Sequence, residues 1–179
     1  VGGGMRTLGN GSIINSTLSG NVSTAWHGGA IFHTDGQLSI INSTITNNSA
    51  PVGTAAGIVS ADFGGLAPVI TLNNTIVANN ITGTSCAVVN FGGGGANVVS
   101  AGFNIDSDNT CNLTATGDQP SVDPLLGPLA DNGGPTFTHA LQTSSPAIDA
   151  ADTGVCPTTD QRGVTRDAAC DVGAFEFVP

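Results

Sequence analysis

Over the first hundred residues apolar side chains alternate with Ser, Thr and Asn in short runs, of which Ile41-Asn42-Ser43-Thr44-Ile45 is representative. A period of two puts successive side chains on opposite faces of an extended chain, which is the pattern of a strand. Helix is excluded by the density of Gly, Asn, Ser and Thr, residues that favour turns and compete for backbone hydrogen bonds. The runs also recur. INSTLSGN at residues 14–21 returns as INSTITNN at 41–48 and as LNNTIVAN at 72–79, steps of 27 and 31 residues. A second series runs between them: GAIF at 29–32, AGIV at 56–59 and CAVV at 86–89, steps of 27 and 30. Units this short and polar cannot bury an apolar face alone and must stack on their neighbours. Two or three short strands per unit, joined by Gly/Asn turns, make one coil, and the expected fold is an all-β, right-handed parallel β-helix, with like residues in register from coil to coil.

The asparagines take their meaning from that register. Asn tolerates left-handed backbone and bonds neighbouring main chain, so Asn21, Asn48 and Asn79 are expected at one corner, where stacked amides bond along the axis. Asn15, Asn42 and Asn73 form a parallel column. Each of these three also satisfies Asn-x-Ser/Thr, so glycosylation is the other reading of that column. At these residues the chain resembles a known family: Gly28-Gly29-Ala30-Ile31-Phe32 and Ile45-Thr46-Asn47-Asn48-Ser49-Ala50 are similar to the two halves of the repeat in chlamydial polymorphic outer-membrane proteins and related bacterial β-helix proteins.

The coils are assigned to residues 1–96. Beyond about Asn97 the repeat loses regularity and the acidic residues concentrate. The ordered series NIDSDNTC at 104–111, VDPLLGPLADNGGPT at 122–136, SSPAIDA at 144–150, TDQRG at 159–163 and CDVGAFE at 170–176 closely resembles the bacterial choice-of-anchor Q domain, which follows β-helix repeats in secreted and surface proteins. That resemblance implies export and surface attachment. Physically, residues 97–179 read as the last coil or coils and a loop-rich cap, covering the unpaired edges and apolar core at a solenoid end. A closing strand is expected around residues 172–177. The amino end has no such cover, which makes head-to-tail association with a second copy a candidate assembly.

Composition narrows the function. Three basic residues, Arg6, Arg162 and Arg166, stand against thirteen acidic ones, for a net charge of −10, and there is no lysine. Such a chain repels nucleic acid and anionic lipid, and no apolar run is long enough to span a membrane. The four cysteines fall as two separated pairs, Cys86 with Cys111 and Cys156 with Cys170, without zinc-site spacing, so disulfides and an oxidising compartment are expected. Closing the second pair across a loop of about 15 residues is worth about 3 kcal/mol.

Candidate chemistry is sparse. Asp35 and Asp62 lie one repeat apart, as paired carboxylates of a glycoside hydrolase must be near each other, but Asp35-Gly36 also reads as a turn. Asp106 and Asp108, with Asn104 and Asn109, make an oxygen-rich loop that suits a structural calcium ion but lacks the distal bidentate Glu; a turn near Cys111 is the alternative. No other cofactor is implied. Asp160, Arg162, Arg166 and Asp171 are expected to hold the cap loops through ion pairs or backbone hydrogen bonds. Trp26 and His27 read as a loop packing feature or a sugar platform. His33 and His139 show no partner in the sequence, and no nucleophile motif is present. The sequence therefore points to a secreted or cell-surface structural or adhesive module, with itself, other surface proteins or glycans as partners. A polysaccharide-binding or polysaccharide-cleaving fragment is the second reading.

Overall fold

In a computed structural model, which describes residues 3–25, 27–51 and 54–179, the chain is a parallel β-solenoid of about four coils without helices. Each coil contributes one strand to each of three sheets. Coil 1 is β1 (Met5–Thr7), β2 (Gly11–Ile14) and β3 (Thr17–Ser19); coil 2 is β4 (Ile31–His33), β5 (Gln37–Ile41) and β6 (Thr44–Thr46). Coil 3 is β7 (Ala55–Asp62), β8 (Val69–Asn73) and β9 (Ile76–Ala78); coil 4 is β10 (Thr84–Asn90), β11 (Asn97–Gly102) and β12 (Ile105–Asp106). The sheets run β1-β4-β7-β10, β2-β5-β8-β11 and β3-β6-β9-β12-β13, where β13 (Gln119–Pro120) begins a further turn on the third sheet alone. Parallel pairing thus continues through residues 97–106, past the point where the repeat ceases to be obvious. An antiparallel hairpin, β14 (Leu126–Ala130) with β15 (Thr138–Leu141), completes the strands.

Inward residues form columns. Ile13, Ile40 and Leu72 stack in the second sheet, and Ile31, Ile58 and Cys86 in the first. Leu18, Ile45 and Val77 stack in the third, and all three columns belong to one core. Ile40, Leu72, Ile31, Ile58 and Ile45 are fully buried, and removing such side chains from water is the main stabilising term.

The register corrects two expected alignments. From coil 2 to coil 3 the step is 32, as in Thr44 to Ile76, not 31: Ile14 stacks on Ile41, but Ile41 meets Asn73, and Leu72 lies under Ile40. The doublets Asn73-Asn74 and Asn79-Asn80 let similarity match at either residue. A one-residue slip, however, would turn every inward side chain outward, so the apolar column decides. In the first sheet Ile58 pairs with Cys86 and not Val88, because Cys86 must point inward to reach Cys111.

The expected cap is two separate structures. The loop after β12 closes the solenoid end, with Cys111 and Leu113 entering the core and Cys86–Cys111 stapling it to the last coil. The remainder, from β14 onward, lies along the outer face of the third sheet and reaches back as far as coil 1: Thr17 Oγ1 donates to Gln161 Oε1 at 2.6 Å, and Ser19 Oγ lies 2.8 Å from His139 Nε2. Residues 172–177 form no strand; they lie against β6 and β9, where Ala174 N donates to Thr44 Oγ1 and Gly173 N to the Asn74 carbonyl. Gly173 makes this close approach possible. Its φ is +99°, and a Cβ there would stand 2.8 Å from both Ile76 Cδ1 and Thr44 Oγ1.

Candidate functional site

The two asparagine columns have different roles. At the corner after the third sheet, Gly20, Asn47 and Asn79 take positive φ, and the next residues point inward as a ladder of Asn21, Asn48 and Asn80. Asn21 N and Nδ2 both donate to Asn48 Oδ1, and Asn48 N and Nδ2 to Asn80 Oδ1, at 2.9–3.1 Å. Asn79, expected in the ladder, is the turn residue one place before it. At the preceding corner the column is Asn15, Asn42 and Asn74, all at positive φ, with Asn73 again one place early. These amides face the flanking segment: Asn15 Nδ2 donates to Thr159 O, Asn42 Nδ2 to Asp171 O and Asn74 Nδ2 to Asp152 O. Asn42 is completely buried there, so its amide holds the flank and has no room for a sugar in the folded chain.

The flank converges on a buried ionic cluster. Arg162 pairs with Asp160 at 2.7 Å and lies 3.5 Å over the Phe175 ring. Arg166 pairs with Glu176 at 2.9 Å, with both side chains 2% exposed. Of the two expected modes Asp171 takes the backbone one: its carbonyl accepts from Arg166, and its carboxylate accepts from Asp149 N and Phe177 N. Burial, with the charges of Glu176 and Asp149, pushes the Asp171 carboxyl up to about 6 against those two donors. Arg166 also spans to Gly173 O and to Asn15 Oδ1 on coil 1, so a single guanidinium ties together flank and solenoid. Glu176 was missed in the sequence because nothing in GAFEF marks the partner of an arginine ten residues earlier. The Cys156–Cys170 disulfide sits beside this cluster, its Cys156 sulfur 3.5 Å from Asn74 Nδ2.

At the plugged end, Asp106 points inward and is completely buried, in register with Val77. It accepts from Cys111 N at 2.7 Å and Asp108 N at 3.2 Å, and Asp108 accepts from Ser85 N, Thr110 N and Thr110 Oγ1. Burial first, and the bond shared with Asp108 second, push Asp106 up to about 6. Asp108 falls below the usual carboxylate value: burial opposes this, but the Thr110 hydroxyl, Asp106 and the two backbone donors prevail. N–H donors thus face both carboxylates where a cation would need oxygens, and among the described residues no group of three or more His, Cys, Asp or Glu side chains is arranged to hold a metal. The pair therefore reads as a loop clamp and not as a calcium site.

Asp35 and Asp62 fall in line, two positions past the His33–Ser60 pairing, and Asn90 pairs with Asp62 on coil 4. Asp62 is completely buried and accepts from Gly64 N at 2.7 Å and from Gly94 N, which is the work of a turn residue. Beside it runs a feature the sequence did not reveal: Phe32, Phe63 and Phe91 line up on three successive coils, Phe63 stacked on Phe91 with ring centroids 5.2 Å apart and tilted at 6.2 Å against the buried Phe32. Phe63 is 54% and Phe91 61% exposed, and Leu66 nearby is 73% exposed. Trp26 lies outside the described residues, so its pairing with His27 as a platform is not described. Both other histidines have partners. His33 lies between Thr7 Oγ1 and Gly36 O; His139 donates Nδ1–H to Gly127 O, which leaves Nε2 to accept from Ser19. Comparison with known protein families, curated proteins and solved structures finds no match.

Proposed function

We propose that this chain is a secreted or cell-surface structural module, a rigid stalk or adhesive spacer, with residues 97–177, the last coil, the plug and the flanking segment together, corresponding to the bacterial choice-of-anchor Q domain that its motifs resemble. One observation carries this reading. The polar and charged groups that a catalytic site would use, Asp106, Asp108, Asp160, Arg166, Asp171 and Glu176, are instead taken up in internal bonds that lock loops to coils. The two disulfides are typical of extracellular proteins, and no described helix is long and apolar enough to cross a membrane. The plug on coil 4 covers one end of the solenoid, which argues against the candidate head-to-tail assembly through that end. Expression in the native cell with fractionation and thiol labelling tests the proposal: disulfide-bonded protein outside the cell supports it, and cytosolic protein with free thiols refutes it.

Phe63 and Phe91 favour a second reading, polysaccharide binding along that side of the coils, because two exposed rings stacked on successive coils present aromatic surface to a chain lying parallel to the axis. A polysaccharide array with and without calcium, repeated with Phe63→Ala/Phe91→Ala, separates the two: loss of a specific glycan signal in the double variant establishes binding.

A further inference from the structure

The plug covers its end of the solenoid without filling it. Val88 lies two residues past Cys86, on the same inward side of β10 and in register with the buried Ser60, yet it is 44% exposed. Above it, between β10 and β11 and the plug loop, is a pocket of about 290 Å³. Val88, Val98 and the Cys86–Cys111 disulfide give it an apolar floor. Asn97 on β11 and Asn109 and Asn112 on the plug give it a polar rim; all three are exposed, and none of their side-chain amides bonds another described residue. The neighbouring polar groups are engaged: Thr110 Oγ1 accepts from Cys86 N and donates to Asp108, which also accepts from Ser85 N.

We infer that this pocket binds one neutral sugar ring, the terminal unit of a glycan, whose hydroxyls meet the Asn97, Asn109 and Asn112 amides while a C–H face rests on Val88 and Val98. The volume is at the lower end for a ligand pocket, room for one ring and not for a chain. Charge selects a neutral ligand. No Asp, Glu, Lys, Arg or His occurs in residues 63–105 and none lines the pocket, so a cation meets no carboxylate there and an anion is repelled by the net charge of −10. Each amide both donates and accepts, as each sugar hydroxyl does. A peptide strand added along β10 is a poorer occupant, because the plug already takes the Ser85 and Cys86 donors of that edge. The inference rests on the polysaccharide reading for the class of ligand alone, since neither Phe63 nor Phe91 lines the pocket. Phe91 follows Val88 by three residues, about 10 Å of extended chain, within reach of a second unit of the same glycan.

The test applies saturation-transfer NMR to the whole chain with the methyl glycosides of glucose, galactose, mannose, N-acetylglucosamine, rhamnose and fucose, and with glucuronate as the charged control. Saturable transfer to at least one neutral glycoside and none to glucuronate is the expected result. Asn109→Gly/Asn112→Gly weakens that binding at least tenfold, since it removes two amides, while glycine keeps the positive φ of 60° and 57° and the melting temperature stays unchanged. Asn97→Ala, on the opposite wall, weakens it at least threefold and reads the same site without touching the plug. Phe63→Ala/Phe91→Ala leaves the affinity for the methyl glycoside within twofold, so pocket and rings are read separately. No transfer to any of the six glycosides, or transfer unchanged in both Asn variants, overturns the inference; the polysaccharide reading then stands or falls on the array alone.

Discussion

The coils and the flank laid against them are held by different physics. In the coils each inward side chain touches its counterparts one turn above and below, so cohesion is spread over columns such as Ile13-Ile40-Leu72 and no residue is unique. In the flank, after β13, almost nothing repeats. Cohesion gathers at a few groups, foremost Arg166, which bonds Glu176, Asp171, Gly173 and Asn15 at once. The face between the two regions is graded. On coils 3 and 4 it is apolar, with Ile76, Ala78 and Ile105 meeting Leu141, Val172 and Phe175; on coils 1 and 2 it is polar, through Thr17, Ser19, Asn42 and Thr44. A repeat tolerates local loss, whereas a hub does not.

The sharpest way to break this contrast is at the hub. Arg166→Ala leaves Glu176 buried without its partner and is expected to cost about 3–5 kcal/mol, read as the urea unfolding free energy of the flank. Ile40→Ala opens a cavity in a column and is expected to cost about 2–5 kcal/mol. The two differ in what unfolds. The Ile40 variant lowers a single transition of the whole molecule, whereas the Arg166 variant splits it, with hydrogen exchange rising first at residues 145–177. Equal and concerted loss in both would show that coils and flank are one cooperative unit. Smaller still is the effect of Cys156→Ser/Cys170→Ser. A separation of 14 residues corresponds to about 3 kcal/mol at most, and the far-ultraviolet β signal of the coils is expected to survive the flank's release.

The same contrast explains what could be read in advance. Alternation and recurrence in the coils are local and repeated, so the fold, three of its strands per coil and both cysteine pairs were legible. Errors of one residue arose only where Asn73-Asn74 and Asn79-Asn80 gave two equivalent matches, and there the inward column of Leu72 was the deciding signal. The flank was read only as part of a cap over the solenoid end, and its position along the third sheet was not legible. Its bonds to coils 1 and 2 join residues 114 to 151 positions apart, as between Asn42 and Cys156 or Asn15 and Arg166, and no spacing rule connects them. The pairing of Arg166 with Glu176 and the stacking of Phe63 on Phe91 exist only after the chain has coiled.

The smallest expected effect separates the two regions by pH. Asp106 in the plug and Asp171 in the flank both titrate near 6 in the folded chain, against 3.8 for the ordinary carboxyl. Between those values the folded state binds more protons than the unfolded one, so stability falls as pH rises through 6 and is regained on acidification toward pH 5. Thermal melts should therefore give a higher midpoint at pH 5 than at pH 7.5. Asp106→Asn removes the plug's share of that slope and Asp171→Asn the flank's, whatever each costs in absolute stability. Since Asp106 sits in the core column of the coils, its variant should flatten the slope of the main transition, while the Asp171 variant flattens only that of the flank; a wild-type midpoint independent of pH over this range would show that neither carboxyl is held near 6.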